Sequence, residues 1–156
     1  MNNKRFSVLL IAIMFIFAGS RMVHADDGNL DDVTKARIAK AEQGPSTIDV
    51  SKYPKKVQDI YTEDFSQKCM MCHSLSRSFN SNFVLPSELE NYVKRMRRMP
   101  GSSITEGDAS KIIDFLIYDS SVRKKVLLDD KLAKATPEER AAAEAKIKKI
   151  HDKYDY

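Results

Sequence analysis

Along this chain one long apolar run is followed by a series of helical periods. The run is Phe6 to Gly19, directly after Lys4 and Arg5. Residues 26 to 43 are charged, with Leu30, Val33, Ile38 and Ala41 loosely at helical spacing, and they stop at Gly44-Pro45-Ser46-Thr47, which predicts a short surface helix and a linker. From Pro54 to Lys68 the apolar residues Val57, Ile60, Tyr61 and Phe65 share one helix face. Ser74 to Leu85 is rich in Ser and Asn and reads as loop. Ser87-Glu88-Leu89-Glu90, a capping box after Pro86, opens a helix with Leu89, Tyr92, Val93 and Met96 as its stripe, stopped by Pro100-Gly101. Thr105-Glu106-Gly107-Asp108 opens another, whose buried face is expected at Ile112, Phe115 and Leu116, joined by Ile113 or Tyr118. Thr136-Pro137-Glu138-Glu139 opens the last, with Ala143, Ile147, Ile150 and Tyr154 in register. No alternating strand and no internal repeat occurs. The expectation is an all-α chain: a compact domain over 53-120, a charged segment and linker over 26-52, and a helical extension over 121-156.

The first run changes where the chain is expected to work. A basic start, an apolar stretch of about 14 residues and a small residue before the break match a secretory signal peptide, residues 1-25, cut after Ala25. The stretch is short of the roughly 20 residues of a membrane-spanning helix, so no membrane span is expected after cleavage. An uncleaved N-terminal anchor is the alternative, since Arg21 and His24 are polar for a cleavage region. Either way the rest of the chain is expected in an exported compartment, in a bacterium the periplasm.

Removing that segment also changes the charge. The formal net charge is +4, from 26 basic and 22 acidic side chains. Lys4, Arg5 and Arg21 lie in the leader and no acidic residue does, which leaves 23 against 22. The mature chain is near neutral and shows no aromatic-laced basic stripe, so nucleic acid is not an expected partner.

The chemistry is concentrated in Cys69-Met70-Met71-Cys72-His73. A C-x-x-C-H run is the attachment pattern of c-type haem: two thiols add across porphyrin vinyl groups and the adjacent imidazole meets the iron. A redox disulfide would want a βαβ surround, and a zinc site a second ligand pair. Neither is at hand, because these are the only two cysteines and the other histidines, His24 and His151, are far away in sequence. The compact region is near the length at which a single core is marginal without a staple or cofactor. A porphyrin would supply an apolar plate for its helix faces.

Helix, C-x-x-C-H, polar loop, methionine-bearing helix and a final capped helix together resemble a small monohaem class I cytochrome c, over the middle third to half of the chain. The resemblance implies Cys69 and Cys72 as thioether residues of one haem c, His73 as proximal iron ligand and a methionine as the sixth. It also implies crossing first and last helices, which would bring Ile60 and Tyr61 towards Phe115 and Leu116. Two methionines compete for the iron. Met99-Pro100, followed by Ile104-Thr105 and a capped helix, resembles the Met-Pro loop of many small bacterial cytochromes c. Tyr92-Val93-Lys94-Arg95-Met96 resembles a compact subgroup with a short haem loop, and Met96 continues the apolar stripe of its helix. Met96 is the first choice and Met99 the alternative; a gap-filling core role is the ordinary work of either. Met70 and Met71 are confined to the attachment turn, and His151 could reach the iron only if the last helix folds back.

Imidazole and thioether ligation fills both axial positions, which implies a one-electron carrier and not an enzyme. Two other readings stand beside it: a ligand-binding or catalytic haem protein with a labile sixth position, and a haem subunit of a larger redox complex that uses the flanking segments to dock. Lys94, Arg95, Arg97 and Arg98 put four positive charges within five residues beside the candidate ligand. They are read either as a solvated helix face or as a docking surface that steers an acidic redox partner towards the haem edge.

Overall fold

The computed structural model describes residues 30-156. The proposed leader and its cleavage point at Ala25 lie outside the described residues. Among the described residues the fold is all-helical with no strand, and no helix is long and apolar enough to cross a membrane.

Local sequence explains most of the elements. Helix α1 (Asp32–Glu42) begins where the Asp31 carboxylate accepts from the Thr34 amide at 2.9 Å. Pro54, with its φ already fixed, leads into α2 (Lys55–Asp59). The helix widens into a π-helical stretch over Ile60–Phe65, in which the Ser66 amide reaches back to the Tyr61 carbonyl. It narrows again as α3 (Ser66–Cys69). The single expected helix is therefore one continuous rod with a widened middle. Helix α6 (Glu106–Val122) and helix α8 (Pro137–Tyr154) start at the expected boxes: Thr105 with Asp108 at 3.1 and 2.9 Å, and Thr136 with Glu139 at 3.2 and 3.1 Å.

Three sequence expectations need correction. The segment 74-85 holds a short helix, α4 (Leu75–Phe79), started by the Ser74 hydroxyl accepting from the Ser76 amide at 3.2 Å. Its serines are internal bonding partners, not solvated loop residues: Ser76 donates to the Gly44 carbonyl at 3.1 Å and Ser78 Oγ lies 2.8 Å from the Tyr92 hydroxyl. Helix α5 (Pro86–Arg97) begins two residues before the expected box, because Pro86 occupies its first position. The Glu88 carboxylate caps it instead, accepting from the Val84 and Leu85 amides at 3.0 and 3.1 Å, while Glu90 pairs with Lys146. Residues 121-156 are no mere appendage. A further helix, α7 (Lys125–Lys134), turns the chain so that α8 lays Ile150 and Tyr154 into the same core as Phe65 and Phe115.

That core lies where α6 crosses the π-helical stretch. Val57, Phe65, Phe79, Ile112, Phe115 and Ile117 are essentially inaccessible. Ring centroids of Phe65 and Phe115 are 4.8 Å apart, those of Phe65 and Phe79 5.1 Å, and those of Tyr61 and Phe115 5.5 Å. Each such pair is worth about 0.5–1.5 kcal/mol beyond its area. The expected approach of Tyr61 to Phe115 is found, and the helix faces meet one another directly.

Polar clasps fasten α6 to its surroundings. Buried Asp119 accepts from the Tyr53 hydroxyl at 2.9 Å and from the Arg123 guanidinium at 2.8 and 2.6 Å, and Arg123 also donates to the Phe79 carbonyl at 3.2 Å. Buried Asp114 accepts from Lys153 at 2.6 Å and from the Tyr154 hydroxyl at 2.8 Å. Lys124 donates to the Ser81 carbonyl at 2.9 Å, and burial, with the Arg123 charge beside it, pushes its ammonium down to about 8. Among the described residues no buried side-chain nitrogen or oxygen lacks a hydrogen-bond partner.

Candidate functional site

Cys69 ends α3, and the chain turns through residues 70-73 into α4. Helical bonding ends with the Met70 amide on the Ser66 carbonyl at 3.2 Å, and Ser74 starts the next helix. This turn splits its side chains. Cys69 is half-buried and packs against the core, Cys72 and His73 are half-buried, and Met70 and Met71 are exposed. Both cysteines are unpaired thiols. Burial, with the Cys72 charge adding to it, pushes the Cys69 thiol up to about 12, so it is a neutral S–H group at any physiological pH. Tyr92 on α5 lies close to that sulfur. Its phenol is raised first by burial, against the Ser78 hydrogen bond, and Cys69 contributes in the same direction as burial.

His73 is oriented by its own neighbour. Its Nδ1 lies 2.9 Å from the Ser74 carbonyl. A carbonyl can only accept, so Nδ1 carries the proton and the lone pair of the neutral ring is on Nε2. A backbone carbonyl holding the far nitrogen is the usual way a metal-binding imidazole is fixed.

The second wall comes from the segment after α5. Gly101, at φ +78°, turns the chain back, a left-handed conformation that suits glycine. The segment then runs along the 69-73 turn: the Ser103 hydroxyl donates to Met71 Sδ at 3.1 Å, and Lys68 reaches the Ser103 carbonyl at 3.3 Å and Asp108 at 3.2 Å. Met96 is half-buried against the core that Cys69 also touches, whereas Met99 is 40% exposed. Lys94, Arg95, Arg97 and Arg98 are all exposed. Arg95 lies over the Tyr92 ring at 5.6 Å, and Arg97 only approaches Glu106, at 4.0 Å. His151 belongs to a different place: it bonds Ser121 Oγ at 2.8 Å and Asp155 at 2.7 Å, between α6 and α8.

What can this set of donors hold? Among the described residues no three His, Cys, Asp or Glu side chains converge as a metal cluster, so the turn does not offer the closed four-ligand cage of structural zinc. Haem needs no such cage, because the porphyrin brings four nitrogens and the protein has only to add thiols and axial donors. Two unpaired thiols and an imidazole with its lone pair on Nε2 fit that requirement. Behind the turn, Tyr61, Phe65, Phe79 and Phe115 fill the interior. A groove of about 560 Å³ beside Tyr53, Tyr118 and Tyr154, and one of about 370 Å³ beside Glu90, Lys94 and Arg97, are lined by no residue of 69-73.

Sequence reasoning missed the partners that fix this turn: the Ser74 carbonyl, the Ser78–Tyr92 pair and the Ser103–Met71 contact. It also missed a strap from α1, where Glu42 meets Arg77 at 2.7 Å and the Asn80 amide donates to the Ala41, Pro45 and Ser76 carbonyls at 2.9, 3.1 and 2.9 Å. A side chain at Gly44 would collide with Asn80, its Cβ falling 2.4 Å away, which was the available signal for that strap. No protein-family model, curated protein or solved structure matches this chain.

Proposed function

We propose that this chain is an exported one-electron carrier that holds a single haem c, bound covalently through Cys69 and Cys72 with His73 as one axial ligand. The observation that carries the reading is the C-x-x-C-H turn with both thiols unpaired and the His73 lone pair set on Nε2 by the Ser74 carbonyl. When bound, the haem supplies an iron that passes between two oxidation states. The residues do the rest. Cys69 and Cys72 anchor the group, Ser74 holds the imidazole plane, and the half-buried thioether of Met96 is our choice for the opposite face, with exposed Met99 the alternative. A neutral, half-buried Cys69 thiol adds slowly to a vinyl group unaided, which agrees with attachment by dedicated haem-ligating machinery.

The test is the mass of the denatured protein made with that machinery. Thioether bonds survive unfolding, so one haem should remain on the chain, and a mass equal to the apoprotein would overturn the reading. Met96→Ala should then abolish the thioether-to-ferric-iron charge-transfer band and admit carbon monoxide or cyanide, while Met99→Ala leaves the band intact. The reverse pattern assigns the iron to Met99. Carbon monoxide binding by the unaltered protein would replace the carrier by a ligand-binding haem protein, and co-purification with a partner would make it one station in a larger complex.

A further inference from the structure

The chain has seven methionines, and their placement is uneven. Met1, Met14 and Met22 fall in the proposed leader; the others are Met70, Met71, Met96 and Met99, with none between residues 26 and 69 and none after Met99. The Ser103–Met71 contact at 3.1 Å lays the segment that follows Met99 against the 70-71 pair. Exposure grades the four: Met70 is 58% exposed, Met71 55% and Met99 40%, while Met96 is half-buried. Gap-filling in a core does not account for side chains that stand more than half in water. On the haem reading one thioether at most is needed at the iron, so the outer ones are surplus to ligation.

We propose that Met70 and Met71, with the less exposed Met99 in reserve, form a sacrificial collar that consumes two-electron oxidants of the peroxide class before they reach Met96 and the group held at Cys69 and Cys72. A thioether lone pair attacks one peroxide oxygen, the O–O bond breaks and an S–O bond forms. Sulfur gives up two electrons, and the departing hydroxide takes the proton of the transferred hydroxyl and leaves as water. The product is a sulfoxide, which sulfoxide reductases return to the thioether. At Met70 and Met71 the change is tolerated, because more than half of each residue already stands in solvent. At Met71 the Ser103 hydroxyl would keep its bond, to a stronger acceptor than the thioether. The same oxidation at Met96 would place a polar S=O against the core.

The experiment titrates the purified haem-bearing protein with hydrogen peroxide while peptide mass spectrometry follows each methionine and absorption follows the haem. Met70 and Met71 should gain oxygen first, Met99 next and Met96 several-fold later, with the haem spectrum unchanged until the first two are consumed. A Met70→Leu, Met71→Leu double variant keeps side-chain volume. It should lose its haem absorption at a several-fold lower dose of peroxide. Oxidation of Met96 in step with Met70 and Met71, or bleaching of variant and parent at the same dose, overturns the proposal. The order of oxidation is read by mass on any preparation, so a chain found without haem would overturn the protective role and the carrier reading while the order is judged separately.

Discussion

The surroundings of α6 and the turn at residues 69-73 are built in opposite ways. Around α6, carboxylates from the helix reach across to other elements: Asp119 takes Tyr53 as well as Arg123, and Asp114 takes Lys153 and Tyr154 on α8. At the turn the contacts include His73 on the next residue's carbonyl, one Ser103 hydroxyl on a sulfur, and Lys68 reaching out at 3.2–3.3 Å. The difference separates two jobs. Aromatic rings and buried carboxylates interlock around α6, whereas the side chains of 69-73 are half-buried or exposed, the pattern of a segment with lower local stability. On the haem reading, a group could then be joined at Cys69 and Cys72 without dismantling the base beneath them.

Substitutions can break or sharpen that division. The largest effect should come from Phe115→Ala, which removes the ring at the centre of the aromatic cluster and should cost about 3–5 kcal/mol, read as a lowered urea midpoint with unchanged slope. If the aromatic cluster is not the seat of stability, the midpoint will hardly move. Next comes Asp119→Ala. It strands the Tyr53 hydroxyl and the Arg123 guanidinium and should cost about 3 kcal/mol, the low end for a broken buried pair, because Arg123 still reaches solvent.

Glu88→Gln should cost about 1–3 kcal/mol and, more tellingly, alter the pH dependence. Burial raises the Glu88 carboxyl, but Lys131 and the Val84 and Leu85 amides more than offset this and hold it below its ordinary value of 4.5. A lowered folded-state value means that the native form binds fewer protons than the unfolded one. The contribution is complete above the ordinary value and is lost as pH falls through the lowered one. Thermal unfolding of the parent should show this acid loss, and the Gln variant should lack that component.

The smallest effect on stability is expected from charge reversal at Arg95 and Arg98, both exposed. Their role, on the docking reading, is kinetic. Electron-transfer rates with an acidic partner should fall as salt passes about 0.1 M, where the Debye length is roughly 10 Å. Reversal should flatten that dependence while the unfolding free energy stays within about 0.5 kcal/mol of the parent. Rates indifferent to salt and to reversal would leave the run as ordinary solvated surface.

What the sequence made legible was whatever depends on neighbours a few residues apart. The boxes at Thr105 and Thr136 and the apolar stripes of α5, α6 and α8 could be read because cap and period are local properties. Helix α4 could not, since its serines are stabilised by Gly44 and Tyr92, far away in the chain. Helix α7 has no side-chain cap and buries only Leu128, so it left almost no trace. Nor do Asp114 and Asp119 look buried in sequence; Tyr53, Lys153 and Tyr154 make them so. At the site, the donors were legible as residue types, while their orientation by Ser74 and the lining by Ser103 came only from the folded chain.

The widened stretch at Ile60–Phe65 sets a phase. A helix advances by about 100° per residue, so a π-helical turn, which accommodates an extra residue, rotates everything that follows by about that angle. Cys69 comes four residues after the stretch ends, and its packing against the core depends on that offset. Deleting one solvent-facing residue within it, such as Thr62, would let the rod close into plain α-helix. Every side chain of the core would be retained, and the missing residue would offset the tighter winding, so both thiols would keep their face; the same closure without the deletion would swing them by about 100° about the axis.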